Sequence, residues 1–387
     1  MNRRLRFRFL LVSVLAARAA SGAEHVPLPD WPPLPSAEEV QRSLPDDAKL
    51  ARQALLGPGA TDPAFVTLWW YGVSSFVAAA GGHLFLFDAW EIVGAHANYS
   101  PIGREDLAAL RPEVIFVGHG HFDHAADAGY VAGRSGAVVV GSEEICATAE
   151  SDAARDGNEN AFRCLVTGTA TTPSPGTVQS VRVWSDLPKV HVLQHLHSAS
   201  RPQYFEPTTF LPFPNLLPFL QHPNTDPEEL VRFLESGGDP QGGTWAYHLR
   251  VADFTLLWHD SAGPIVEGEP GAAEIRQALD SLPGCVDVHS GAILGFDQPF
   301  SGLRDPRLYV EHAHPRLFLP SHHDAWAPVI AAGGAAYQDE WAKEMAKLEH
   351  PPVVDFLRDP EDYMKRRRYA VGAEIWKRPM PGSSCAR

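Results

Sequence analysis

The stretch Gly118-His119-Gly120-His121-Phe122-Asp123-His124 places four metal-ligand side chains within six positions. It follows Val114–Val117, a continuous apolar run of the kind that a strand buried on both faces shows. In extended chain, residues two apart share a face, so His119 and His121 can bind one metal ion together. As the chain turns, Asp123 and His124 can face a second ion beside the first. Imidazole suits Zn²⁺, and a carboxylate adds a hard oxygen ligand. A lone histidine is more often a core or surface residue, but packing does not explain four such residues at a strand end. Two adjacent divalent ions lower the pKa of a water held between them, so hydroxide is available near neutral pH. Such a hydroxide can attack a carbonyl carbon or a phosphorus. Asp123 would both bind metal and hold or shuttle the nucleophile's proton. No serine or cysteine nucleophile is required, and none of the usual motifs for one occurs.

The elements that must position this cluster read as two successive blocks. Strands are expected at Val66–Tyr71, Ser75–Ala79 and His83–Phe87, with Gly72 and Gly81-Gly82 as turns. A helix near Arg104–Leu110 leads into Val114–Val117, and further strands follow at Ala137–Val140, Val181–Trp184 and Val190–Leu196. The second block has strands at Thr244–Val251, Phe254–Trp258, Val286–Val288 and Leu317–Leu319. Its helices are expected at Gly271–Leu282, Ala325–Ala332 and Tyr337–Leu348. Mixed strands and helices in two blocks predict two sheets packed between helix layers.

The chain has 387 residues, 18 histidines, four cysteines and a formal net charge of −15. At 44% hydrophobic it can bury a sizeable core, which excludes wholesale disorder. The acidic balance argues against a nucleic-acid partner, which needs basic surface to release counterions. Residues 1–23 read as an export signal: Arg3, Arg4, Arg6 and Arg8, an apolar run over Phe9–Ala17, and a small-residue cleavage site at Ser21-Gly22-Ala23. That run is far short of the roughly 20 residues a transmembrane helix needs, so no retained anchor is expected. Its removal takes five arginines and no acids, leaving −20 on a periplasmic or secreted protein. Export sets the cysteines in an oxidising compartment. Cys146 and Cys164 could close a small loop and leave Cys285 and Cys385, but four cysteines allow three connectivities, and free thiols are a further reading.

Residues 24–63 form a Pro-rich arm with helical patterns at Ala37–Ser43 and Asp46–Leu56. Residues 199–243 interleave prolines with Tyr204, Phe205, Phe210, Phe213 and Phe219. So long an apolar loop is usually functional or an interface. It reads as a hydrophobic lid, or as a segment packed on its own domain or on a second subunit, which leaves a homo-oligomer open.

His119-x-His121-x-Asp123-His124 resembles the signature of the metallo-β-lactamase superfamily. That resemblance implies an α/β fold, a four-layer αββα sandwich of two mixed β-sheets with a dinuclear metal site. Trp70–Phe76 through Leu84–Asp88 is similar to that fold's opening hairpin, which ends in a structural Asp. Its form resembles the branch containing ascorbate-6-phosphate lactonases and N-acylphosphatidylethanolamine phospholipase D. The resemblance runs over roughly residues 64–330, within a domain expected over 64–350, with 351–387 as a C-terminal tail.

The family then implies a His, a bridging Asp and a last His, each at a strand end. Alternation puts His191, His195 and His197 on one face. The family's pattern of His before a small polar residue selects His197, with His195 the runner-up. Asp260 fits the bridge, although the family usually has Gly where His259 stands. His322 matches a Pro-x-His pattern and is favoured over His323. The resemblance thus implies one ion on His119, His121 and His197, and another on Asp123, His124 and His322, with Asp260 between. The two divalent ions are expected to be Zn²⁺, with Mn²⁺ or Fe²⁺ as alternatives. His289 ends another strand and is carried as a second catalytic candidate, against a purely structural reading. The resemblance implies hydrolysis of an ester, lactone, amide or phosphodiester bond, in a small or amphiphilic substrate. A β-lactamase is the alternative within the class, and a non-catalytic metal- or partner-binding protein is the alternative outside it.

Overall fold

The computed structural model describes residues 25–28, 31–91, 101–155, 157–158, 162–198, 231, 237–296, 298–324 and 334–379. The expected signal at 1–23, the helix expected at Ala325–Ala332 and most of the 199–243 insertion lie outside them.

The first half of the chain supplies β1 (His25–Pro27), β2 (Phe65–Gly72), β3 (Ser75–Ala80), β4 (His83–Phe87), β5 (Val114–Phe116), β6 (Val138–Ser142) and β7 (Cys164–Gly168). Then come β8 (Val178–Val181), β9 (Val190–His195), β10 (Thr244–Val251), β11 (Phe254–His259), β12 (Val288–Ala292), β13 (Leu317–Ser321), β14 (Val353–Val354) and β15 (Arg366–Ala370). They form two mixed sheets. One has seven strands in the order β15-β2-β3-β4-β5-β6-β7, and the other has eight in the order β1-β8-β9-β10-β11-β12-β13-β14. In each sheet an antiparallel stretch passes into a parallel one, at β4–β5 and at β11–β12. Helices pack on the outer faces, which gives the αββα sandwich.

An aromatic layer fills the space between the sheets. Phe87 stacks on Trp258 with ring centroids 4.7 Å apart, and Phe116 lies 4.9 Å from Tyr247. Each buried aromatic side chain of this size contributes about 1.5–3 kcal/mol relative to exposure. Their polar tips tie one sheet to the other. The Tyr247 hydroxyl donates to the Val117 carbonyl, 2.8 Å, and Trp258 Nε1 donates to the Ser74 carbonyl, 3.0 Å. Both acceptors lie beside the site, so the core fixes the two sheets there.

Both ends of the described chain depart from the expected arm and tail. β1 pairs in parallel with β8, and Leu34 bridges to Trp184, so the 24–63 arm is an edge of the second sheet. Within the expected C-terminal tail, the described residues 351–379 add two strands. β14 extends the second sheet beside β13, and β15 extends the first beside β2. Arg366, Arg367 and Arg368 put charge on edge strand β15. Arg367 reaches Asp355 at 2.8 Å, Arg368 reaches Asp62 at 2.7 Å, and Arg368 also covers the Phe65 ring. Cys146 and Cys164 form a disulfide that staples the helix Glu143–Arg155 to edge strand β7. Cys285 is disulfide-bonded as well, while Cys385 lies outside the described residues.

A buried polar clamp joins the arm to the sandwich. His83, fully buried at the start of β4, contacts Glu113 Oε2 through Nδ1, 2.6 Å, and Asp186 Oδ1 through Nε2, 2.8 Å. Trp184 Nε1 also donates to Glu113, and Asp186 accepts the Ala37 N–H at the start of the first helix. Burial pulls the His83 pKa down, but the hydrogen bonds and charges of Glu113 and Asp186 outweigh it and leave it raised. With the folded value above the unfolded one, this stabilisation is complete below about pH 6.5 and lost as pH rises through the folded pKa. The difference in melting temperature between the native protein and His83→Phe should therefore be widest near about pH 6 and narrow on the alkaline side. A calorimetric pH series that gave a constant difference would show that His83 acts by packing alone.

Candidate metal centre

The ends of five strands meet along one seam of the sandwich. Asp88 directly follows β4, His119 follows β5, His197 follows β9, Asp260 follows β11 and His322 follows β13. His121 stands at the N-cap of the short helix Phe122–Ala125, which carries Asp123 and His124. Three compact groups result among the described residues: His119, His121 and His197; beside them Asp123, His124 and His322; and, sharing a ring with each, His119, His124 and Asp260.

Hydrogen bonds at the far side of three rings decide which nitrogen faces the seam. His119 Nδ1 donates to Asp260 Oδ2 at 2.7 Å, His124 Nδ1 to Asp88 Oδ2 at 2.7 Å, and His197 Nδ1 to the Ser198 carbonyl at 2.8 Å. The Nε2 lone pairs of all three rings are thereby aimed inward. His119 Nε2 lies 3.0 Å from His121 Nδ1 and 3.1 Å from His197 Nε2. His322 Nε2 lies 3.2 Å from His124 Nε2 and 3.3 Å from Asp123 Oδ2. Burial, helped by neighbouring rings, holds His119 well below its ordinary pKa and brings His197 to about 3, and burial lowers His121 and His124 too. These imidazoles are neutral, which is the form that binds metal.

The second group behaves like a site already answering positive charge. Burial alone would raise Asp123, but His124 and His322 hold its carboxyl far below the usual range. Burial would lower His322, yet the hydrogen bond and charge of Asp123 leave it raised. Asp88 and Asp260, both fully buried, are pushed up by loss of water, and Asp88 also by the charge of Asp260. Asp260 Oδ1 is buried with no hydrogen-bond partner. Neutral convergent imidazoles, an orphaned carboxylate oxygen and mixed N and O donors fit divalent cations of the zinc type.

The structure separates the paired candidates. His197 lines the cavity, whereas His195 turns outward to the Leu196 carbonyl and the Tyr309 hydroxyl, 3.1 and 3.2 Å. Alternation ends with β9 at His195, so the turn after it swings His197 into the seam. His322 faces His124, whereas His323 stacks on Phe356 with centroids 4.6 Å apart. His289 is corrected as a catalytic candidate. It pairs in register with Leu257 and Phe318 on the outward, helix-covered face of the sheet, and its ring packs on His259 and Phe318 rather than lining the cavity. Asp260 is brought between the two groups. Its Oδ2 lies at the Nδ1 edges of His119 and His124, 2.7 and 3.4 Å, rather than among the convergent nitrogens.

Backbone strain marks the same seam. Val73, Asp88 and His322 all have left-handed φ, at 50°, 53° and 59°. Each such non-glycine residue costs about 1–3 kcal/mol. The His322 N–H donates to the Val73 carbonyl, 2.8 Å, and the Val73 N–H donates to Asp324, so hydrogen bonds hold the strained pair together. Asp88 in turn accepts from Ser74 Oγ at 2.6 Å and from the Gly118 N–H at 3.0 Å.

Above the two groups opens a cavity of about 240 Å³. Phe122, Leu294 and Phe296 make an apolar wall, and Phe296, half exposed, sets its ring edge toward His121 and His197. Tyr337 and Gln298 face in from another side; burial outweighs their mutual hydrogen bond and pushes the Tyr337 phenol up to about 12. Asp239 lies toward the side where Gly237 also lines the cavity. Phe122 sat in the 118–124 stretch and Gly237 and Asp239 in the 199–243 insertion, but no spacing marked any of these residues as a cavity wall. Ser74 alone sat within the hairpin already singled out.

The family model of the metallo-beta-lactamase superfamily matches residues 68–198. A UPF0173 metal-dependent hydrolase of Pyrobaculum islandicum is 34% identical over 76 residues, which are 20% of this chain and 32% of that protein. Its counterpart in Methylacidiphilum infernorum is 35% identical over 77 residues, 20% and 31% of the two chains. The match thus spans about a third of the length of these relatives. Among solved structures, Igni18, a metallo hydrolase from Ignicoccus hospitalis, has a TM-score of 0.45 and 15% identity, covering 79% of this chain and 98% of its own. YhfI of Bacillus subtilis, a metallo-beta-lactamase fold protein, has a TM-score of 0.41 and 8% identity, covering 79% and 100%.

Gly118 shows how closely the seam is built. A Cβ there would stand 2.1 Å from Asp260 Cγ, so only glycine lets the carboxylate approach. Gly118→Ala should displace Asp260, release the His119 ring and weaken divalent-metal binding by about 10–100-fold. Equilibrium dialysis against Zn²⁺, with circular dichroism to establish folding, measures this; native-like affinity in a folded variant would mean that Asp260 does not orient His119.

Proposed function

With residues 68–198 carrying a metallo-β-lactamase superfamily domain, we propose that this chain is a dinuclear metal-dependent hydrolase acting on neutral esters, lactones or amides of small or amphiphilic molecules. The observation that carries the reading is the pair of adjacent donor groups, each of three residues, at the floor of a cavity with an apolar wall. The name of the Pyrobaculum and Methylacidiphilum relatives supports the same reaction class. His119, His121 and His197 would hold one ion and Asp123, His124 and His322 the other, with Asp260 able to reach both groups. Bound divalent ions supply Lewis-acid polarisation and a water acidic enough to lose its proton near neutral pH.

The chain's own residues do the rest. Asp123 Oδ2, in contact with His322 and His124, is placed to accept and pass on a proton at the floor. Phe296, Leu294 and Phe122 exclude water and receive the apolar part of a substrate. Tyr337, with its phenol kept protonated, can donate a hydrogen bond to a substrate oxygen. Among the described cavity-lining residues none is Lys or Arg, and Asp239 adds negative charge. Away from the ions themselves, an anionic substituent therefore finds no cationic side chain there, which favours substrates whose groups remote from the scissile bond are neutral. Zn²⁺ suits the histidine-rich donors. Export to an oxidising compartment is part of the reading, supported by the basic-apolar N-terminal sequence and by the Cys146–Cys164 disulfide.

Protein purified without added metal should contain divalent ions and hydrolyse neutral aryl esters and lactones with kcat/KM at least about tenfold above that for matched anionic esters, the discrimination expected of about 1.4 kcal/mol. Chelation should abolish turnover, and Zn²⁺ or Mn²⁺ should restore it. Activity untouched by chelation would sink the mechanism. Metal content without turnover on ester, lactone, amide, phosphodiester and β-lactam panels would favour a binding protein on this fold.

A further inference from the structure

His259 occupies the last position of β11, directly before Asp260, and is buried with the outward-facing side chains of its sheet. Its Nδ1–H donates to the Ser261 carbonyl at 2.7 Å, so the ring closes over the turn that carries Asp260. The next contacts run straight to the neighbouring ligand loop. Ser261 Oγ accepts the Ser198 N–H at 3.0 Å, and the Gly263 N–H donates to the Leu196 carbonyl at 2.9 Å. His197 lies between those two anchors. The 260–263 turn and the 196–198 turn therefore move as one unit, and the His259 ring is its outward brace.

The ring has room because its register partner on β12 is glycine. A Cβ on Gly291 would stand 2.4 Å from His259 Nε2, closer than any real contact. His289 at 4.9 Å and Tyr309 at 5.0 Å, between ring centroids, close the remaining sides. Three histidines outside the donor groups, His195 and His259 at strand ends and His289 near the start of β12, thus form with Tyr309 a layer beneath the seam. His195 lies 5.8 Å from His259 and 5.5 Å from Tyr309.

We propose that His259 is a positioning residue whose imidazole, seated on Gly291, fixes the turn bearing Asp260 and, through Ser261, the backbone beside His197. One ring braces a carboxylate and an imidazole on two sides of the same metal position. This rests on the metal-dependent reading of the site and adds to it a residue outside the donor groups.

Asparagine and glutamine at position 259 separate the contact from mere packing. Asparagine carries its amide N–H at the place of Nδ1 and can still reach the Ser261 carbonyl, whereas glutamine carries it at the place of Nε2 and cannot. Co²⁺ titration of the metal-free protein, read by visible absorption, gives affinity and stoichiometry without any substrate. His259→Asn should bind within about threefold of the native protein, while His259→Gln should lose about 10–100-fold at one of the two positions, the scale seen when a ligand's orienting partner is removed. Gly291→Ala, which evicts the ring without altering it, should reproduce the glutamine result, with circular dichroism establishing that each variant is folded. Equal affinities for the asparagine and glutamine variants would overturn the proposal while leaving the metal site intact. A native protein that binds no Co²⁺ or Zn²⁺ would overturn the metal-dependent reading itself, and this proposal with it.

Discussion

Five imidazoles and three carboxylates crowd into the dry seam between two sheets, and the N–H bonds at the back of the rings decide what that crowd can do. Asp260 holds His119, Asp88 holds His124 and the Ser198 carbonyl holds His197. Each bond uses the one proton of a neutral ring and leaves the opposite lone pair facing inward. Without those partners the rings could rotate or exchange tautomers, and the inward nitrogens would hydrogen-bond one another. With them, the lone pairs of His119, His124 and His197 stay turned toward ring nitrogens 3.0–3.2 Å away, a convergence that a shared cation would satisfy. Burial strengthens the arrangement, because it keeps the rings neutral while raising the cost of the buried carboxylates.

Most of the sandwich can be understood as support for that geometry. The aromatic layer makes the two sheets inseparable near the seam, and its hydroxyl and indole N–H groups bond to Val117 and Ser74, next to His119 and Asp88. The left-handed residues Val73 and His322 are tied to each other across the two sheets. Strain there is tolerated because neighbours over-determine it. The chain ends contribute at the edges: β1 closes one side of the eight-stranded sheet, while β14 and β15 carry the final segment from one sheet to the other.

Local pattern carried much of this architecture. Alternating or continuous apolar runs marked β2 to β6 and β9 to β13 to within a few residues, because strands buried on both faces have few polar positions to blur them. The strand placed at Val181–Trp184 instead ends at Val181, with Trp184 serving as an isolated bridge to Leu34. The helix expected at Tyr337–Leu348 runs Ala335–Met345. β7, β14 and β15 escaped notice because edge strands are short and partly exposed, and β15 is charged as well. The helices Ala128–Ser135, Glu143–Arg155 and Arg304–Ala313 escaped too; the first is interrupted by Gly129 and Gly133, and the last has its proline at Pro306 in the first turn.

For the site, sequence alone determined the cluster from His119 to His124, since its residues are neighbours in the chain and spacing is enough to orient them. The remaining ligand candidates were narrowed by resemblance. Which of His195 and His197, or of His322 and His323, faces the seam depends on where a strand stops and how the next turn swings, and sheet packing settles that. The same packing turned His259 outward, away from the cavity, although it ends a strand as a ligand would, and set His289 near the start of β12 rather than at a strand end. Only the tertiary structure brings Phe296, Tyr337 and Asp239 to one wall, joins His259 to Gly291, and sets Asp260 against Gly118. Those are contacts between residues far apart in sequence, and a chain read in order carries no distance between them.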